Sequence, residues 1–265
     1  MQDWALVIFT LCISAAAGAC IFYGLERQKT ADHKLERGFL YLLIMVVIGL
    51  LGSLLHLGRP WAAPYSILNI GSSWLSREIL FAGSFFVLVA VSWFLERQGR
   101  AAAGLIWLTG LLGILAVFSM TQIYMSSFIP AWQSWYTVVE FFAATVVLGG
   151  LVAVFTLGRE ANRQPLKWLM LGAVLLQLAL LPNYLGSLGA GAAAGQQSLT
   201  MLSGSYGILS LIRWLLILAG MSWFLLVPDR KGQFFPALAL IAGLVLGRYL
   251  FYASGVAISV GLAGM

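Results

Sequence analysis

Residues 39–57 read FLYLLIMVVIGLLGSLLHL, without a single Asp, Glu, Lys or Arg. As a helix rising about 1.5 Å per residue, this run is long enough to cross the roughly 30 Å of hydrocarbon in a bilayer. Only a helix or a closed barrel satisfies its backbone there, so the run predicts a membrane span. Runs of the same kind lie at 4–25 before it and at 76–95, 101–124, 136–158, 165–186, 207–227 and 234–256 after it. The expected fold is therefore all-α: an integral membrane bundle of eight transmembrane helices, forming a single transmembrane domain over 1–265. Composition agrees. Hydrophobic residues make up 61% and charged residues 9%, against about half and about a quarter in soluble domains.

The first run is expected to remain as a span. No Lys or Arg precedes it, it exceeds the length of a signal core, and the small residues Ala15 to Ala19 suit helix packing. Cys12 and Cys20 both fall in this run, about 12 Å apart along a helix and beyond disulfide reach. There is no CxxC pair or ferredoxin-like spacing, so no iron–sulfur cluster is expected on this chain.

The connections between runs set an orientation. Those after the first, third, fifth and seventh runs hold Arg27, Lys29, Lys34, Arg37, Arg97, Arg100, Arg159, Arg163, Lys167, Arg230 and Lys231, whereas the alternate connections and both termini hold only Arg59 and Arg77. The positive-inside rule then puts both termini on the non-cytoplasmic side. The net charge of +6 is thus a topology signal, and nucleic-acid binding is not expected. The outer connections are longer and nearly neutral: 58–75 is rich in Trp, Pro and Gly, another spans 126–135, and 187–206 is rich in Gly, Ala and Ser. They fit either a docking surface for a partner protein or ordinary interfacial aromatic belts.

Ionisable groups inside a membrane are costly and need an account. His56 ends the second run at the outer side, and Glu78 opens the third from that side, next to Arg77. Glu140 lies in the first turns of the fifth run. Arg213 is about two turns into the seventh, and Arg248 about two turns before the outer end of the eighth. Tyr252 follows Arg248 on the same helix face. Five runs thus bring ionisable groups to one outer depth. Bland readings exist: Arg59, Arg77 and Glu78 as hydrated or snorkelling boundary groups, Glu140 and Arg213 as a structural ion pair, His56 as a satisfied structural histidine. Arg248 is harder to dismiss, because a guanidinium at that depth needs oxygens to face.

Bis-histidine haem is excluded, since the second of two histidines, His33, sits in a basic loop at the opposite face. A transporter would show a polar path through the bilayer, or short broken helices at matching positions; the runs show neither, and Pro182 is the main interior breaker. The Gly243-x-x-x-Gly247 pair is a helix-packing signal. A half-buried site with a base, a carboxylate and arginines suits a quinol. Its oxidation releases two protons and two electrons; an imidazole accepts a hydroxyl proton, a carboxylate passes it to water, and arginine holds the quinone oxygen. The electrons need an acceptor on another chain.

The segment Ser53-Leu54-Leu55-His56-Leu57-Gly58-Arg59-Pro60, with Ser66-Ile67-Leu68-Asn69 and Leu75-Ser76-Arg77-Glu78-Ile79, resembles the histidine motif of the dimethyl sulfoxide reductase anchor subunit family. Gly247-Arg248-Tyr249-Leu250-Phe251-Tyr252 resembles that family's closing motif, and Trp4 to Phe9 and the eight-run layout fit as well. The resemblance implies a multi-pass anchor in the bacterial inner membrane that binds and oxidises menaquinol. It implies electron transfer to a four-cluster iron–sulfur subunit and onward to a molybdopterin catalytic subunit, both docked on the outer face. It implies catalytic roles for His56 and Glu78 and, less directly, a quinol contact for Arg248. Arg59, Arg77, Glu140, Arg213 and Tyr252 complete the expected quinol-binding set. Neither haem nor an iron–sulfur cluster is expected on the chain itself. Competing readings are a polysulfide reductase-type anchor working in the quinone-reducing direction, a small-molecule or proton transporter, and a purely structural anchor.

Overall fold

A computed structural model of the chain describes residues 2–29, 35–56, 69–100, 102–157 and 163–258. Among these residues the structure is helical throughout: α1 (Gln2–Lys29), α2 (Glu36–His56), α3 (Trp74–Arg97), α4 (Ala103–Met125), α5 (Trp135–Thr156), α6 (Gln164–Ala190), α7 (Ala193–Ser203), α8 (Gly207–Leu226) and α9 (Phe234–Ala253). All but α7 are long and apolar enough to cross a membrane, which gives the eight spans expected. Local chemistry sets several starts. Ser73 and Ser134 cap α3 and α5 by accepting from the backbone N–H groups of Ser76 and Tyr136, and Pro165 occupies the first turn of α6, where its missing donor costs nothing.

The first span is the centre of the bundle. α1 packs on α2, α4, α5 and α9, and Ala16, Ala17, Ala19 and Cys20 along it are fully buried. Its closest neighbour is α5. A Cβ added at Gly18 would lie 2.1 Å from the Thr145 carbonyl oxygen, and one at Gly149 would lie 2.4 Å from the Gly18 carbonyl carbon. The two backbones therefore touch, the arrangement small residues permit between membrane helices. The α8–α9 hairpin packs tightly on itself, with Gly243 against Ile217 as the glycine spacing implies.

Two expectations need correction. The Gly/Ala/Ser-rich stretch 187–206 is not one loop: α6 continues to Ala190, and α7 occupies Ala193–Ser203. Ala193, Ala194, Gln196, Gln197, Leu199, Met201 and Leu202 are good helix formers and together outweigh the Gly and Ser residues of α7. Nor does Pro182 break its span, for it lies inside α6; membrane helices tolerate an interior proline where neighbouring groups can satisfy the freed carbonyl.

The end of the bundle that carries the basic connections also buries charge, with Glu26, Glu96 and Lys167 among the buried residues. Lys167, expected in a connection, lies in the first turns of α6. These groups are answered locally. Arg27 pairs with Glu96, whose other oxygen accepts the Leu35 N–H at 3.1 Å. Lys167 and Gln233 donate to the Val227 carbonyl at 3.3 and 2.7 Å, while Arg163 and Arg230 donate to that of Leu157. Both carbonyls lie just past the C-termini of α8 and α5, where cations offset exposed backbone oxygens.

Candidate functional site

Opposite the basic end, a layer of buried polar side chains crosses the bundle. Glu78, one turn into α3, is buried and makes no hydrogen bond or ion pair with any described residue. It lies within electrostatic reach of Tyr124, at the end of α4, and Tyr252 of α9. The two tyrosine hydroxyls bond each other at 2.7 Å. One turn before Tyr252, Arg248 is 1% exposed. Its guanidinium carbon sits 3.4 Å from the centre of the Phe141 ring on α5, a cation–π contact. Its Nε and Nη1 find no hydrogen-bond partner among the described residues. Aromatic rings wall this cluster: Trp132 stacks on Phe251 at 5.3 Å and donates its ring N–H to the Phe251 carbonyl.

Glu140 and Arg213 do not share that cluster's interior. Arg213 of α8 donates to the Glu140 carboxylate of α5 at 2.7 Å, both groups buried. Gly247 makes the room: a Cβ there would fall 2.5 Å from the Arg213 Nε. The pair lines a cavity of about 320 Å³ bounded by α5, α6, α7, α8 and α9. Tyr136, stacked on Tyr184 at 4.5 Å, lines it too, its buried hydroxyl without a partner among the described residues. The outer-depth groups therefore form two neighbouring places, and Arg248, which feels both Glu140 and Arg213 electrostatically, stands at their junction.

Among the remaining expected site residues, Arg77 faces away. It donates to the Ile70 and Gly71 carbonyls at 2.8 and 2.7 Å and lies over the Trp74 ring, closing the turn ahead of α3. His56 is the last residue of α2; its side chain, like Arg59 and His33, lies outside the described residues. Counting only charged groups at depth misses Tyr124, Tyr136 and Tyr184. Tyrosines near the same ends of the fourth, fifth and sixth runs are the signal that finds them.

Glu78 and Arg248, with no hydrogen-bond partner for the carboxyl or for two guanidinium nitrogens among the described residues, and two tyrosine hydroxyls can accept, relay and hold protons or polar oxygens in a buried site. The chain matches the DMSO reductase anchor subunit (DmsC) family over residues 1–254. It is 29% identical to YnfH, a chain of the anaerobic dimethyl sulfoxide reductase type from Escherichia coli (strain K12), over 99% of this chain and 98% of that one. It is 30% identical to the C-type chain of anaerobic dimethyl sulfoxide reductase from the same organism, over 99% and 97%. The like-named protein of Haemophilus influenzae shares 32% identity over 59% of each sequence. With the family's model matched across the eight spans and beyond, this multi-pass membrane protein belongs to the DMSO reductase anchor subunit family.

Proposed function

We propose that this anchor subunit binds menaquinol at the His56 end of the bundle, oxidises it, and passes the electrons to an iron–sulfur subunit. That subunit, by this reading with four clusters, feeds a molybdopterin catalytic subunit, and both dock on the non-cytoplasmic face of the bacterial inner membrane. The observation that carries the reading is Glu78: a buried carboxyl with no described partner, beside a tyrosine pair and an arginine with donors to spare. A structural carboxylate at that depth would be paired. One left open in a site near the membrane surface suits transient proton traffic.

Each group then has a task. The imidazole of His56, as base, takes a hydroxyl proton from the quinol as two electrons leave for the partner. Glu78 accepts protons on their way to water. Arg248, with Nε and Nη1 unengaged among the described residues, holds the oxygen that becomes a carbonyl, and the hydrogen-bonded Tyr124–Tyr252 pair stands within electrostatic reach of both Arg248 and Glu78. Tyr252 completes the binding set, while Arg77 holds the turn ahead of α3. Orientation follows from the loop charges, which put quinol protons and terminal reductase on one side.

The test is His56→Arg in the assembled membrane complex. The expected result is normal assembly, normal reductase activity with an artificial electron donor, and loss of menaquinol-driven turnover. Normal menaquinol-driven turnover would leave the chain a structural anchor.

A further inference from the structure

The cavity behind the Glu140–Arg213 pair has no part in the scheme above. We propose that it is a second binding site, taking the ring of an isoprenoid quinone or quinol separately from the site that turns the quinol over. Its polar end offers Tyr136, Glu140 and Arg213; its walls are largely apolar, with Leu181, Leu199 and Leu202 among them. The hydroxyl of Tyr136 is buried there without a partner among the described residues, and a buried hydroxyl without a partner is costly. A bound molecule with a keto or hydroxyl oxygen removes that cost.

Charge selects among occupants. The ion pair is already closed at 2.7 Å, so an anionic phosphate finds no free cation and faces a carboxylate. An uncharged head suits better, because Glu140 still accepts from a hydroxyl. Shape agrees. Tyr136 and Tyr184 stack at 4.5 Å and 12° and give the cavity a flat aromatic wall. Its volume, about 320 Å³, is at the small end of ligand sites, which run from about 300 to 1,000 Å³. That holds a fused bicyclic ring with its isoprenoid tail leaving between leucines, and α7 supplies Leu199 and Leu202 along that exit.

The experiment photolabels the assembled complex in native membranes with an azido-naphthoquinone bearing a short isoprenoid tail, and maps the labelled peptides. Label is expected in α7 and the first turns of α8. It should persist in His56→Arg and fall about fivefold in Tyr136→Phe, the loss of one hydrogen bond. Tyr136→Phe should fold as well as the parent, since the hydroxyl it removes bonds no described residue. Three outcomes overturn the proposal: label confined to the ends of α2 and α3, α7–α8 label unmoved by Tyr136→Phe, or α7–α8 label displaced by excess phospholipid but not by unlabelled naphthoquinone. The last would make the occupant an acyl chain. Labelling does not depend on turnover, so an active His56→Arg variant would sink the catalytic reading and not this one.

Discussion

The two ends of this bundle bury charged side chains to a similar extent and treat them differently. At the basic end each of these groups has at least one partner, Glu96 in Arg27 and the Leu35 amide, Lys167 in the Val227 carbonyl, Arg163 and Arg230 in the Leu157 carbonyl, although single atoms such as Arg230 Nε and Gln233 Oε1 stay unbonded among the described residues. At the other end, among the described residues, Glu78 has no partner, Arg248 rests on an aromatic face with two nitrogens unbonded, and the Tyr136 hydroxyl is unbonded. Native interiors satisfy nearly all their buried polar groups, so the first end reads as scaffold. The second holds polar capacity in reserve, as a site does before its ligand arrives. Neither a count of charges nor a count of single unbonded atoms separates the ends; what separates them is that Glu78 and Arg248 have no hydrogen-bond or ionic partner at all among the described residues.

Removing one carboxylate from each end puts this difference to the test. Glu78→Gln should leave the complex assembled and lower menaquinol-driven turnover by about 10²- to 10⁴-fold, the usual worth of a positioned proton acceptor. Donor-specific rates on purified complex read this directly, and a fall under tenfold would deny Glu78 the role. Glu96→Gln should do the reverse. It strips Arg27 of a buried ionic partner and should cost about 3 kcal/mol, the lower end for such pairs, because the Arg27 side chain is 14% exposed. A lowered Tm with unchanged turnover per assembled complex is the expected signature. Lost turnover without lost stability would make the basic end functional too.

Much of this architecture is legible in the residues alone. Spans can be read because a bilayer imposes a length and an apolar composition on each run independently of its neighbours, and the depth of Glu78, Arg248 and Tyr252 follows from counting turns along those runs. Azimuth is not legible. A helix apolar nearly all round has no face that pattern can name, so depth groups Glu140 and Arg213 with Arg248, whereas they point into a separate cavity. Depth groups Arg77 likewise, yet it binds its own loop. The short α7 escapes because it crosses nothing and carries no span-length signal. Tyr124 escapes because a neutral hydroxyl does not register in a search for charge, although in lipid it needs a partner just as an ion does.

Gly247 gives the smallest effect and the sharpest cut through the polar layer itself. It precedes Arg248 in α9, yet the space above it belongs to Arg213, whose Nε and Cζ lie 2.5 and 2.7 Å from where a Cβ would stand. Gly247→Ala therefore presses on Arg213, which is held in place by Glu140. The expected cost is about 1–3 kcal/mol, the range for overpacking, measured as a drop in Tm. If the two places are separate, menaquinol-driven turnover should stay within about twofold of the parent, while naphthoquinone labelling of α7–α8 falls. A large loss of turnover would mean that displacing Arg213 is felt by Arg248 and Glu78, and the layer would then be one site with two mouths. The glycine thus decides whether proximity at Arg248 amounts to coupling.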